Sequence, residues 1–164
     1  MAGIHFKESQ KINLGWKWIF FIGLYVFMLW ALVEQFSEES DIGAIISIIF
    51  SLIILAVFNV IVIIMKLETY IDETKISYQY KPFHIKPREV LWSEVSEFYT
   101  RDYKPIREYG GHGIQRRIRK GRAFTVSGNK GLQLILKDGR KILLGTNKPK
   151  ELQMIIEKIK KHDF

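Results

Sequence analysis

Cysteine is absent from all 164 residues, which excludes disulfides, thiol nucleophiles and thiolate metal sites and leaves the redox compartment open. Charge is absent from Ile42 to Met65, a run that few soluble domains can accommodate. The four histidines, His5, His84, His112 and His162, are scattered without metal-ligand spacing, so no metal and no other cofactor is expected. No nucleophile elbow or other catalytic spacing occurs, and the Tyr-Gly-Gly-His-Gly stretch lacks the Gly-Lys-Ser/Thr ending of a phosphate loop. The expectation is therefore not an enzyme, and an enzyme with an unrecognised site is the least favoured alternative.

The uncharged run reads IGAIISIIFSLIILAVFNVIVIIM, 24 residues followed at once by Lys66. As a helix it would be about 36 Å long, enough for a hydrocarbon core of about 30 Å. An earlier run, Trp16 to Val33, is 18 residues interrupted only by Lys17. At about 27 Å it is a short span, with Trp16, Trp18 and Trp30 placed as an interfacial belt and Lys17 placed to snorkel. No small-x-small cleavage site follows, so it is read as an uncleaved signal-anchor rather than a signal peptide. The connecting loop, Glu34 to Asp41, holds four acids and no base, and its eight residues imply an antiparallel helical hairpin. Lys7, Lys11 and Lys17 flank one end and Lys66 the other, which by the positive-inside rule puts both termini in the cytoplasm. Residues 1–65 are thus expected to be a polar tail and a two-helix transmembrane hairpin (about 16–33 and 42–65), and 66–164 a cytoplasmic domain. Gly43, Ser47 and Ser51 form a small-residue stripe suited to close helix packing. Asn59 reads as an interhelical hydrogen-bonding group, and a transport role lacks the intramembrane charges and repeats it needs.

Of the 25 Lys and Arg residues, 22 lie from Lys66 onward, against 12 of the 17 acids. A basic domain directly after a span suggests an anionic neighbour, with lipid headgroups the nearest. Leu67, Thr69 and Ile71, then Ile76, Tyr78 and Tyr80, alternate as two strands around an Asp-Glu-Thr turn. Trp92 to Tyr99 reads as a short helical turn or the start of a strand. Ala123–Ser127, Leu132–Leu136 and Ile142–Leu144 predict two hairpins sharing a strand, the second turning at Asp138-Gly139. Thr146 or Asn147 can cap a final helix with Pro149 in its first turn. Leu152, Ile155, Ile156 and Ile159 give that helix one apolar stripe, and its basic end suits the helix dipole.

The order of these pieces resembles the bacterial pleckstrin-homology-like domains over about Leu67 to Ile159. It is carried by Ile71 through Tyr80, Val90-Leu91-Trp92-Ser93-Glu94-Val95, Glu108-Tyr109-Gly110-Gly111-His112-Gly113, Ser127-Gly128-Asn129-Lys130-Gly131, and Ile142-Leu143-Leu144-Gly145-Thr146 followed by Pro149. The resemblance implies a strongly bent seven-stranded sheet or partly open barrel plugged by the C-terminal helix. It also implies a binding or assembly module in a small bacterial inner-membrane protein with two N-terminal helices. The expected fold class is then a membrane helical hairpin plus a mainly antiparallel β domain with an amphipathic C-terminal helix.

The sharpest candidate site is Tyr109 to Arg122. Gly110, Gly111 and Gly113 permit backbone conformations from which successive amides can form an anion-binding nest. Arg116, Arg117, Arg119, Lys120 and Arg122 add five cations within seven residues. Near an anionic leaflet each contributes about 1 kcal/mol, fading over a Debye length of about 8 Å. The competing reading is a long solvated hairpin with a flexible glycine tip. The expected partners are the lipid membrane, anionic headgroups or a membrane protein, and not nucleic acid. A structural subunit that self-assembles as a homo-oligomer through its helices and sheet edges is the alternative.

Overall fold

Phe6, Glu8 and Gln10 alternate with Lys7, Ser9 and Lys11, a period of two in which two of the three inward positions are polar. In the computed structural model, which describes residues 5–12, 15, 17–37 and 42–163, this segment is a strand, β1 (Phe6–Lys11). It pairs antiparallel with β2 (Lys66–Ile71), from Phe6 opposite Ile71 to Lys11 opposite Lys66. The segment expected to be a tail therefore belongs with the strands that follow the helices, and the expected boundary between residues 65 and 66 divides what the ladder joins. Two buried polar residues pin it. Glu8 accepts the Thr146 hydroxyl at 2.7 Å and the Asn147 amide at 2.8 Å, and Gln10 donates to the Gly145 carbonyl at 2.6 Å. Phe6 joins the main core, with Ile12 and Met65 packed against it.

β1 and β2 continue into β3 (Lys75–Lys81) and β4 (Arg88–Leu91), a four-stranded antiparallel sheet in the order β1-β2-β3-β4. The β2–β3 turn forms as expected, because the Asp72 carboxylate accepts the amides of Thr74 and Lys75 at 2.7 and 2.8 Å. A single 3₁₀ turn, Trp92–Glu94, then leads into β5 (Val95–Asp102), so both alternatives for this stretch occur in succession. The second sheet has the order β5-β8-β9-β7-β6, with β6 (Gly113–Arg117), β7 (Gly121–Thr125), β8 (Lys130–Leu136) and β9 (Lys141–Thr146). The Asp138-Gly139 hairpin joins β8 and β9 as expected. The other expected hairpin, of Ala123–Ser127 with Leu132–Leu136, does not form. Instead β7 runs parallel to β9 and β8 takes β5 as its outer partner. Alternation identifies strands but not their neighbours, and here β9 satisfies two strands at once.

Helix α3 (Pro149–Asp163) buries Leu152, Ile156 and Ile159 in the core shared by both sheets, the stripe expected from its spacing. Thr146 Oγ1 accepts the Lys148 amide at 3.0 Å, so the Gly-Thr turn satisfies backbone groups just before the helix.

The helices α1 (Lys17–Ser37) and α2 (Ile42–Ile64) form a second unit, Asn13–Ile63. Among the described residues, α2 is the one helix long and apolar enough to cross a membrane, and only 6% of its most apolar stretch is buried. Trp18–Glu34 is a shorter apolar helix. Asn59 is buried, donating to the Leu55 carbonyl at 2.8 Å and meeting the Tyr25 hydroxyl on α1 at 3.4 Å. The Gly43, Ser47 and Ser51 stripe is exposed rather than set against α1, and both serine hydroxyls bond back to their own helix. Trp16, the side chain of Lys17 and loop residues 38–41 lie outside the described residues.

Candidate functional site

The glycine-rich segment is a built corner. After β5 the chain makes one π-helical turn, Pro105–Tyr109, closed by Gly110 in the left-handed conformation at φ 85°. The Gly110 and Gly111 amides donate to the carbonyls of Ile106 and Pro105 at 2.9 and 3.0 Å. Both donors are thereby used inside the turn, which removes them from the expected anion-binding nest. Gly113 begins β6, opposite Thr125. Glu108 braces the corner, accepting the Lys104 amide at 2.8 Å and pairing with Arg101 at 2.9 Å. Burial acts to raise the Glu108 carboxyl, but the Lys104 amide and the Arg101 guanidinium outweigh it and hold the group below the usual range. Arg101 also reaches the Tyr109 hydroxyl at 3.1 Å, and Tyr109 packs with Tyr103, Ala123 and Leu143 in a small second core.

The basic residues lie beyond this corner, on the β6–β7 hairpin. Arg116 and Arg122 are directly opposite each other across the ladder, as are Arg117 and Gly121. The tip is Ile118-Arg119-Lys120, and Ile118 is wholly exposed. Arg117 leans over Gly110, with a guanidinium nitrogen 2.5 Å from where a Cβ there would sit, and Lys120 lies 3.9 Å from Glu108. Gly121 holds the returning strand at φ +80°, and a Cβ on it would stand 2.2 Å from the Lys141 carbonyl oxygen. The glycine lets the hairpin lie hard against the start of β9.

That approach forms one wall of a cleft of about 990 Å³. Arg116, Arg119 and Arg122 line it from the hairpin, Tyr78 and Arg88 from β3 and β4, and Arg140 and Lys141 from the β8–β9 turn. Tyr78 and Arg88 are themselves cross-strand partners. Two acids of the wall are paired: Glu89 with Lys75 at 2.7 Å, and Asp138 with Arg140 of the same wall, through the Arg140 backbone amide and Nε. Glu94 is the third acid of the wall. Burial pushes the Tyr78 hydroxyl up, while Arg88, Arg122 and Arg140 pull it the other way. His84 lies behind this wall, with its ring centroid 5.4 Å from that of Phe124. Its Nδ1 accepts the Tyr80 amide at 3.2 Å, so in the neutral ring the proton sits on Nε2. Burial first, then Arg88 and Arg122, lower its pKa.

Of the eight residues expected to form the site, Arg116, Arg117, Arg119 and Arg122 line the cleft, Lys120 lies at the tip outside the lining, and Gly110, Gly111 and Gly113 lie outside it too, in the corner that leads into β6. Arg88, Arg140 and Lys141 were missed. Arg88 follows a loop with two prolines that hides its register against Tyr78, and only folding brings the Asp138-Gly139 turn beside the hairpin. Among the described residues, no group of three His, Asp or Glu side chains converges as a metal site. No protein-family model matches the chain, and no curated protein matches it.

Proposed function

We propose that the protein is a two-pass membrane-anchored binding module whose pleckstrin-homology-like cytoplasmic domain contacts anionic lipid headgroups. The β1–β2 ladder carries this reading. Antiparallel partners sit about 5 Å apart, so Lys11 and Lys66, where the chain leaves and re-enters the sheet, are neighbours. A single crossing would separate them by about 30 Å of hydrocarbon. If α2 crosses, α1 must cross back, despite its shorter apolar stretch. Lys7 and Lys11 before the helices, and Lys66 with the basic domain after them, assign the shared side to the cytoplasm.

The strand pattern supports the family reading in part. β1 to β4 form one antiparallel sheet and α3 closes the domain, but the second sheet adds β7 and β6 to β5, β8 and β9, so the described strands number nine where the resemblance implies seven. The β6–β7 hairpin, joined to that sheet by the parallel β7–β9 pair, carries the basic tip with exposed Ile118. An isoleucine among arginines suits the headgroup layer, where the apolar side chain enters the acyl boundary and the cations meet phosphates.

The cysteine-free chain permits a direct test. Single cysteines at Ser40 and Ser96 should react with a membrane-impermeant maleimide from opposite sides of sealed vesicles. Labelling of both from one side would remove the two-pass reading. A polarity-sensitive dye on Ile118→Cys should shift to the blue when phosphatidylglycerol replaces phosphatidylcholine in the vesicles. A dye that stays in water in both lipids would leave an acidic protein partner as the better occupant of the tip.

A further inference from the structure

We propose that the cleft between the β3–β4 edge, the β6–β7 hairpin and the β8–β9 turn is a binding site for a terminal phosphate group. The inference rests on the reading of the domain as an anion-contacting module and names which anion, and where it sits. Arg116 and Arg122 face each other directly across the hairpin, an arrangement of like charges that destabilises a strand pair unless something negative lies between or above them. Neither has a carboxylate partner among the described residues. Arg88 lines the same cleft from β4 and Arg140 from the β8–β9 turn, where Asp138 holds its Nε and leaves the two terminal nitrogens of the fork. Tyr78 is only 4% exposed and its ring is 4.9 Å from Phe124, so the phenol is a fixed point in the cleft wall that Arg88, Arg122 and Arg140 also line.

The chemistry selects the ligand. Guanidinium groups bind oxyanions as planar forks, and three forks with a neutral hydroxyl offer more donors than the two oxygens of a carboxylate can use. A phosphomonoester presents three oxygens and close to two negative charges. The volume of about 990 Å³ leaves room for the group that carries the phosphate. Because the cations come from three separated segments, folding assembles the site and a bare run of basic residues would not.

The phosphate could be borne by a lipid or by a soluble molecule, and the test separates these. Full-length protein in neutral detergent is titrated calorimetrically with inorganic pyrophosphate, with dihexanoyl phosphatidate, and with dihexanoyl phosphatidylglycerol at matched ionic strength. Saturable binding of pyrophosphate or phosphatidate is expected, at least tenfold tighter than phosphatidylglycerol. Binding of phosphatidate alone assigns a lipid source, and binding of pyrophosphate alone a soluble one. The pair Arg88→Gln and Arg140→Gln should weaken binding at least tenfold. Arg88→Lys with Arg140→Lys, which keeps the charge and removes the forks, should weaken it severalfold. The pair Lys158→Gln and Lys161→Gln, exposed on α3 and outside the lining, should leave it unchanged. The inference is overturned if neither phosphate compound binds, if phosphatidylglycerol binds equally well, or if the α3 lysine pair matters as much as Arg88 and Arg140. Failure of lipid contact at the tip would show instead in the dye on Ile118→Cys, so the two readings fail separately.

Discussion

Replacing Glu8 by Ala should destabilise a domain whose other strands all lie at least 58 residues further along the chain. Glu8 is 5% exposed and satisfies two donors at the β9–α3 junction, the Thr146 hydroxyl at 2.7 Å and the Asn147 amide at 2.8 Å. Hydrogen bonds to a charged acceptor contribute about 1.5–3 kcal/mol each, and loss of the acceptor leaves both donors unsatisfied. Relief of the buried carboxylate's desolvation offsets part of this. The net cost is about 2–4 kcal/mol, a large share of the roughly 5–15 kcal/mol that holds a domain together. The assay uses a shortened chain in which residues 13–63 are replaced by a Gly/Ser linker. About five residues suffice, since Lys11 and Lys66 are cross-strand partners. With a urea dependence of about 1–3 kcal/mol per molar, Glu8→Ala should lower the unfolding midpoint by roughly 1–2 M. A chain starting at Met65 should show no cooperative transition. An unchanged midpoint in Glu8→Ala, or a chain from Met65 as stable as the linked one, would refute the role assigned to β1.

Two further outcomes follow from single residues. Gly121→Ala should cost more than Gly139→Ala: both glycines have positive φ, +80° and +84°, but only at Gly121 does a Cβ meet backbone, 2.2 Å from the Lys141 oxygen. Backbone strain alone is about 1–2 kcal/mol, so Gly139→Ala measures that part and the difference in urea midpoint measures the clash. The lowered pKa of His84 means that the folded state resists its protonation. Its contribution is fully present above about pH 6.5, the ordinary histidine value, and is lost as pH falls through the lower folded value. His84→Gln should therefore flatten the stability profile of the linked chain between about pH 7 and 5, and an unchanged slope there would show that another group titrates.

Local pattern was enough for much of this protein. The uncharged run Ile42–Met65, helical over Ile42–Ile64, came from length and composition, and the Asp72 turn, the Asp138-Gly139 hairpin and the apolar stripe of α3 from periodicity and turn chemistry, which act over a few residues. Three things were set only by tertiary structure. Phe6–Lys11 carries Glu8 and Gln10 inward, so hydropathy reads it as polar, and only the donors at Thr146, Asn147 and the Gly145 carbonyl make that burial favourable. The pairing of β7 with β9 rather than β8 depends on Gly121 lying against Lys141. The proposed anion site moved from a glycine nest, whose Gly110 and Gly111 amides are occupied, to a cleft where Arg88 and Arg140 join Arg122. Composition announced a basic domain next to an apolar helix because charge and hydropathy add up residue by residue. Which arginines converge depends on strand register, a long-range property, and that was decided only when the two sheets closed around Tyr78.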